Sequence, residues 1–460
     1  MMKNIIKLLF IVVFASGCSN DFIELTPFAD ANAVDFFKTA NDFEVAVNAA
    51  YDVLQDGRLY GSRFEFLLEV RSDNGKFDDP ASDVGQPFNI DKFQVVPSNT
   101  IVEGAYDALY QGIGRCNAIL GRIDGADINQ GFAERVKGEA QFLRGLYYFH
   151  LVQLFGDAPL ITTEISVSEV DNVKRDPVSE IYNQIEADLV AASNVLPLTY
   201  PPSEAGRATL GAASGILAKV YLTQNKIGLA KAELEKVINS NVYSLLPSIA
   251  SVFSPSNEMN AEIVFAVRSA KGGDEGRSLA FDYTQNPTIA DDLVNAYDPI
   301  DERLPLVQYV VVSGSRRVPQ KYFDTLSVLN DVGTDIPVLR YADVLLMYAE
   351  VLNEEDYVAS DDSTAFQNLN AIRERAGLLP YTTAELVNQV TFRDAVLKER
   401  RLELALEFHR WYDLKRTGTA ISTFAALGVD IQECKLIYPI PQDELDVVQD
   451  PTRFPQNDCY

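Results

Sequence analysis

The sequence predicts a mainly α protein: a scaffold of paired helices carrying loop-rich insertions and a few short β-strands. Apolar residues recur at helical spacing through most of the chain, and several of these runs stand next to one another in pairs. In two places the periodicity gives way to Gly-, Ser- and Asp-rich connections, one of which also holds strand-like runs.

The first helical run is NDFEVAVNAAYDVLQDG, where Phe43, Val47, Ala50, Tyr51 and Leu54 form one stripe. Asn41 is its expected N-cap and Gly57 its stop. The first insertion follows, RSDNGKFDDPASDVGQPFNIDKF. GFAERVKGEAQFLRGLYYFHLVQLFGD then repeats the helical pattern through Phe132, Val136, Ala140, Leu143, Tyr147, Leu151 and Leu154. Further helices are expected at about 177–196, 209–224 and 226–240, and again near 340–354, 362–376 and 390–415. Their pairing is the helix–turn–helix arrangement of tetratricopeptide-like repeats, without a strict period of about 34 residues. Between about 241 and 338, NAEIVFAVRSA and LVQYVVVSG read as short strands separated by connections such as SAKGGDEGRS. Loops held on a rigid scaffold are where binding resides, so these two loop-rich segments are where a ligand is expected.

Residues 1–17 read as a signal segment. Lys3 and Lys7 give a positive start, and the apolar run from Leu8 to Phe14 is too short for a bilayer helix of roughly 20 residues. Ala15, Ser16 and Gly17 are small, and Cys18 stands directly behind them. An ordinary secretory signal needs no such cysteine. The ending resembles a bacterial lipobox, with Ala15 where leucine is usual, so Cys18 is the expected lipid anchor and 18–25 its linker.

The formal charge is −27, and the signal segment contributes two lysines and no acid, so a chain beginning at Cys18 sits near −29. This argues against nucleic acid, which needs clustered Lys and Arg, and against docking on anionic lipid through the protein surface. With two histidines in all, His150 and His409, a His-rich zinc site is excluded. No cofactor is implied. Of four cysteines, Cys434 and Cys459 are a candidate disulfide outside the cytoplasm, which spacing alone cannot establish.

Candidate ligand contacts lie in the insertions. Arg71, Asp73 and Asn74 stand close in sequence to Phe77, and a sugar needs this mixture of a ring face with groups that pair its hydroxyls. The competing reading is a solvated loop with Asx turns. Asp73, Asp78 and Asp79 lack the spacing of an EF-hand loop, so no metal site is assigned. Later loops offer Phe281, Tyr283, Tyr297 and Tyr309, against which plain apolar packing must be weighed. Trp411 belongs to a helix and is read as packing. In LKERRLELALEFHRWYDLKR, Asp394 with Lys398 and Glu407 with Arg410 are expected to pair on the surface. The acid pairs Asp291–Asp292 and Asp301–Glu302 are adjacent in sequence, which does not set two carboxyls across a cleft, so no catalytic site is expected.

Several stretches together resemble the SusD/RagB family of Bacteroidetes outer-membrane lipoproteins: FFKTANDFEVAVNAAYDVL, GEAQFLRGLYYFHLVQLFGDAPL, LRYADVLLMYAEVLNE, LNAIRERAGL, LKERRLELALEFHRWYDLKRTG and YPIPQDELDVVQDPTRFPQND. The closing NDCY departs from the family's Asn-Pro-Gly-Tyr. The resemblance implies a SusD-like division into an N-terminal helical half, 26–240, and a C-terminal half, 241–460, with ligand-facing loops. It implies a non-catalytic surface lipoprotein that binds oligosaccharide and delivers it to a SusC-like TonB-dependent transporter. A peptide ligand, as in RagB-like branches, and a helical scaffold without small ligand are the alternatives.

Overall fold

The computed structural model describes residues 36–270, 287–313, 316–323 and 333–460. Cys18, Phe281 and Tyr283 therefore lie outside the described residues. The first helix, α1 (Ala40–Gln55), starts earlier than Asn41 predicts. Thr39 is its N-cap: the hydroxyl accepts from the Asp42 N–H at 3.3 Å while the Asp42 carboxylate accepts from the Thr39 N–H at 2.8 Å. Next come α2 (Gln86–Asp91) and α3 (Thr100–Leu120), the latter capped by Asn99 and absent from the sequence reading. Its three glycines dilute the apolar stripe, and Gly112 is where the Tyr147 ring packs, 2.5 Å from any added Cβ. Then follow α4 (Gln130–Phe155), α5 (Val178–Val195), α6 (Leu210–Thr223) and α7 (Ile227–Asn239).

Each of these long helices packs on its neighbour in sequence, α1 on α3, α3 on α4, and so on to α6 on α7. After α8 (Asp291–Ala296), the array resumes with α9 (Tyr341–Glu355), which packs against α7, α10 (Thr364–Arg375) and α11 (Gln389–Glu403). The stretch between α7 and α9 is thus inserted into a continuous helical stack. It holds most of the strands. β2 (Ile263–Val267) and β4 (Tyr309–Ser313) fall inside the two predicted runs, yet they are not partners. β2 pairs antiparallel with β6 (Ile336–Arg340), which leads directly into α9, and β4 pairs with β5 (Arg316–Pro319). β1 (Gly75–Phe77) pairs with β3 (Pro287–Ile289). One apolar core runs from Phe43 to Phe454; a second, around Phe366, Leu369 and Phe392, joins α9, α10 and α11.

The run expected as one helix near 390–415 is two. After α11 the backbone turns through Leu406 (φ 66°) and Phe408 (φ 67°) before α12 (Arg410–Arg416). Left-handed φ at two bulky residues is costly, and persists only where the surroundings hold it. Here they do: Tyr297 donates to the Leu402 carbonyl, Lys321 to Ala405 and Tyr322 to Leu406, at 2.6–2.8 Å. The break turns acids inward rather than outward. Glu407 does not pair with Arg410 on the surface; it is buried against Lys321 and Arg340, each at 2.6 Å. Two short helices, α13 (Ala420–Ala426) and α14 (Gln442–Val448), complete the fold. Cys434 and Cys459 are joined in a disulfide, their Cα atoms 5.9 Å apart.

Around that break lies a balanced ionic interior. Arg340 also reaches Glu262 (2.6 Å) and Glu403 (3.1 Å), Arg375 reaches the same two, Arg303 meets Asp301, Glu399 and Glu403, and Arg373 meets Glu399. Burial alone would raise the Glu403 carboxyl, but the charges of Arg375, Arg340 and Arg303 hold it down to about 2. Replacing Glu403 with Gln should cost about 3–5 kcal/mol of stability in urea unfolding, because three arginines lose a shared charge.

Both histidines lie inside as well. His150 stands 3.0 Å from the Tyr60 and the Tyr412 hydroxyls, and His409 lies beside Lys219 and Asp343. Burial, reinforced by the Lys219 charge, lowers both to about 3. Below their ordinary 6.5 the unfolded chain takes up protons that the folded chain refuses, so stability falls as pH drops. Burial pushes Glu69 the opposite way, to about 7, which offsets one histidine between pH 7 and its ordinary 4.5. The urea midpoint is therefore expected to fall from pH 6.5 to pH 5, and His150→Gln, leaving one histidine against Glu69, to flatten that fall.

Candidate functional site

The two loop-rich segments meet. A π-helical turn, Glu65–Val70, delivers the chain to Arg71–Asn74 and then to β1. Gly75 passes close against this turn: a Cβ there would stand 3.0 Å from the Glu69 carbonyl. β1 then pairs with β3 in the register Gly75↔Ile289, Lys76↔Thr288 and Phe77↔Pro287, and the Ala290 N–H donates to the Asn74 carbonyl at 2.8 Å. Residues more than two hundred positions apart in sequence thereby form one ribbon.

Side chains from α11 and α12 fix that ribbon from beneath. Arg410 grips the Asp73 carboxylate with two nitrogens, at 2.7 and 2.8 Å. Arg401 donates to the Asp73 carbonyl (2.9 Å), the Asn74 amide oxygen (3.0 Å) and the Asp292 carboxylate (2.8 Å). Burial would raise the Asp73 carboxyl; the hydrogen bonds and charge of Arg410, with the charge of Arg401, outweigh it and hold it below the usual range. The Asn74 amide donates to Glu69 at 3.0 Å, and Glu69 also accepts the Phe408 N–H at 2.7 Å.

Of the residues read from sequence as ligand contacts, Arg71, Asp73, Asn74 and Phe77 all point inward. Arg71 is 1% exposed and donates to the carbonyls of Ile90 and Lys435. Phe77 packs edge-on against Phe66, and its N–H donates to Asp91 at 3.1 Å. Tyr297 is buried on the Leu402 carbonyl. Tyr309 is half-buried, and its hydroxyl accepts the Ile289 N–H at 3.0 Å, tying β4 to β3. These side chains build the floor of the site and leave a ligand little to touch.

What the ribbon presents outward is a different set. Lys76 reaches toward Asp291 at 3.4 Å, and Lys92 lies between Asp91 and Asp78 and 5.5 Å from the half-buried Phe88 ring. Beyond them the insertion rises to a tip where Asp83, Val84 and Gly85 all have positive φ and Val84 is 89% exposed. Among these, Lys76 carries a sequence signal, the outward middle position of a three-residue strand; Phe88 carries none that separates it from a core ring. The surface offers a ring, ammonium groups and carboxylates, which can hold the C–H faces and hydroxyls of a polyol, and among the described residues it supplies no nucleophile aligned with a base.

Residues 40–222 match a family profile described as "Starch-binding associating with outer membrane", and residues 315–460 match one described as "SusD family". The chain belongs to the SusD/RagB family. The SusD-like protein P2 of Formosa agariphila is 27% identical, with 99% of each chain covered. Among solved structures of SusD-like proteins, one described as laminarin binding is 26% identical and superposes with a TM-score of 0.77 over 92% of this chain and 100% of its own. A SusD superfamily protein from Bacteroides vulgatus gives a TM-score of 0.79 at 23% identity, over 92% and 100%. This SusD-like fold therefore mounts its ribbon on an ion-paired support. Arg410→Ala should leave Asp73 buried with half its partners gone and cost about 3 kcal/mol in urea unfolding; faster hydrogen exchange confined first to residues 71–77 would place the loss in the ribbon.

Proposed function

We propose that this SusD/RagB protein is a non-catalytic oligosaccharide-binding lipoprotein of the outer membrane. It is tethered through acylated Cys18 and hands its ligand to a SusC-like TonB-dependent transporter. The observation that carries the reading is the meeting of both loop-rich segments in the β1–β3 ribbon, on a chain similar over nearly its whole length to a relative described as laminarin binding. Phe88 supplies a ring for a sugar face, and Asp78, Asp291 and Lys76 supply partners for hydroxyls. Phe281 and Tyr283, which precede β3 in sequence, are assigned the remaining stacking contacts. Few polar contacts on an open surface give weak capture, which suits a carrier that must release its cargo.

The only tryptophan, Trp411, is fully buried and cannot serve as a binding platform, an observation that favours peptide as the second reading. Binding of residues 19–460 to a glycan array containing laminarihexaose and starch oligosaccharides, with a peptide library alongside, separates the two. A glycan should bind without being cleaved, and Phe88→Ala and Tyr283→Ala should each weaken it about tenfold. Binding to peptides alone would replace the ligand class, and turnover of a labelled oligosaccharide would overturn the carrier reading.

A further inference from the structure

The described interior of this acidic chain pairs its buried cations with carboxylates. Arg144 meets Asp188, Arg303 meets Asp301, Arg340 meets Glu262 and Arg400 meets Asp343, all at 2.6–2.8 Å. The buried Arg71 and the half-buried Lys415 stand apart. Neither makes an ion pair among the described residues. Arg71 donates to the neutral carbonyls of Ile90 and Lys435 and lies beside the neutral Tyr460 hydroxyl, with its guanidinium carbon 3.8 Å from the centre of the Phe93 ring, 5.0 Å from that of Tyr438 and 5.5 Å from that of Trp411. The Lys415 ammonium donates to the Gln153 carbonyl. The next cation, Lys435, rests on the Cys459 carbonyl and the Tyr460 ring.

Unused donors collect in the same place. Arg71 Nε, Trp411 Nε1 and Gln153 Nε2 are all buried without a hydrogen-bond partner. Their residues are 1%, 0% and 5% exposed. Trp411 and Lys415 lie four residues apart on α12, hence on one face, and Lys415 ties that face to Gln153 on α4. Two cations without an ion-pair partner, one of them with an idle Nε and two further idle N–H donors beside them, form the inverse of a buried carboxylate's surroundings. Leaving such groups uncompensated is costly.

We propose that this interior holds a small inorganic anion of halide size, bound among the Arg71 guanidinium, the Lys415 ammonium and the Trp411 and Gln153 N–H groups. The anion supplies the missing charge. It secures the disulfide-closed C-terminal segment, whose Lys435 carbonyl accepts from Arg71 and whose Tyr438 ring stacks on it, against α4 and α12. The lowering of Lys415 to about 7, caused by burial and then by the Arg71 charge, is the cost that such an ion removes.

Crystals soaked in sodium bromide test this directly. An anomalous peak within contact of Arg71 Nε, Lys415 Nζ and Trp411 Nε1 is expected; no peak, or bromide at the surface alone, overturns the proposal. In solution, thermal unfolding in sodium bromide is compared with sodium gluconate at equal ionic strength. The protein should gain a rise in Tm that grows with the logarithm of bromide concentration, and bromide should quench the lone tryptophan saturably. Lys415→Met keeps the stem without the charge and should abolish both effects. Equal Tm in the two salts, with purely linear quenching in the unaltered protein, would mean that water alone fills the site.

Discussion

The fold turns on five cations, three of them buried and two half-buried, and five buried carboxylates that share one interior: Arg303, Lys321, Arg340, Arg373 and Arg375 against Glu262, Asp301, Glu399, Glu403 and Glu407. Desolvating that many charges is repaid only if every one finds partners at close range. That requirement is geometric. It brings together the start of β2, the loop after α8, the turn after β5, the end of β6, the end of α10 and the broken end of α11. No apolar contact has comparable directionality. An Arg with two carboxylates in fixed places tolerates one arrangement of the elements carrying them.

The same segment that closes the network also carries the site. Glu399, Glu403 and Glu407 face inward, while Arg401 and Arg410 reach Asp73, Asn74 and Asp292 beneath the ribbon. A helix continuing unbroken through 404–408 would carry Glu407 away from Lys321 and Arg340. The left-handed turn at Leu406 and Phe408 is therefore held by the charges on both of its sides. Its carbonyls go to Tyr297, Lys321 and Tyr322, three residues of the inserted region, so the insertion and the helical stack determine one another.

Helices were legible in the sequence because amphipathic spacing is a local signal: Phe43, Val47, Ala50 and Leu54 are buried as the stripe requires. The helix Thr100–Leu120 leaves a weak periodic signal because glycine replaces apolar bulk at Gly104, Gly112 and Gly114, and only the Tyr147 ring explains Gly112. The site was legible as a region and illegible as residues. Arg71-Ser72-Asp73-Asn74 has the composition of a solvated turn. Its partners Arg401, Arg410 and Lys435 lie more than three hundred positions away, and no local pattern announces them. A polar tetrapeptide with distant ion-pair partners becomes interior; the same tetrapeptide without them would have been surface.

Burying the polar residues of the insertion separates support from recognition. Asp73, Asn74 and Phe77 are committed to holding β1 in place, so they are not free to vary with ligand. Lys76, Asp78 and the Val84 tip have no such commitment inside the core, Phe88 packs only in part against it, and substitution at these positions leaves the ionic support intact. A rigid floor with an independently variable surface can keep its fold while its ligand changes.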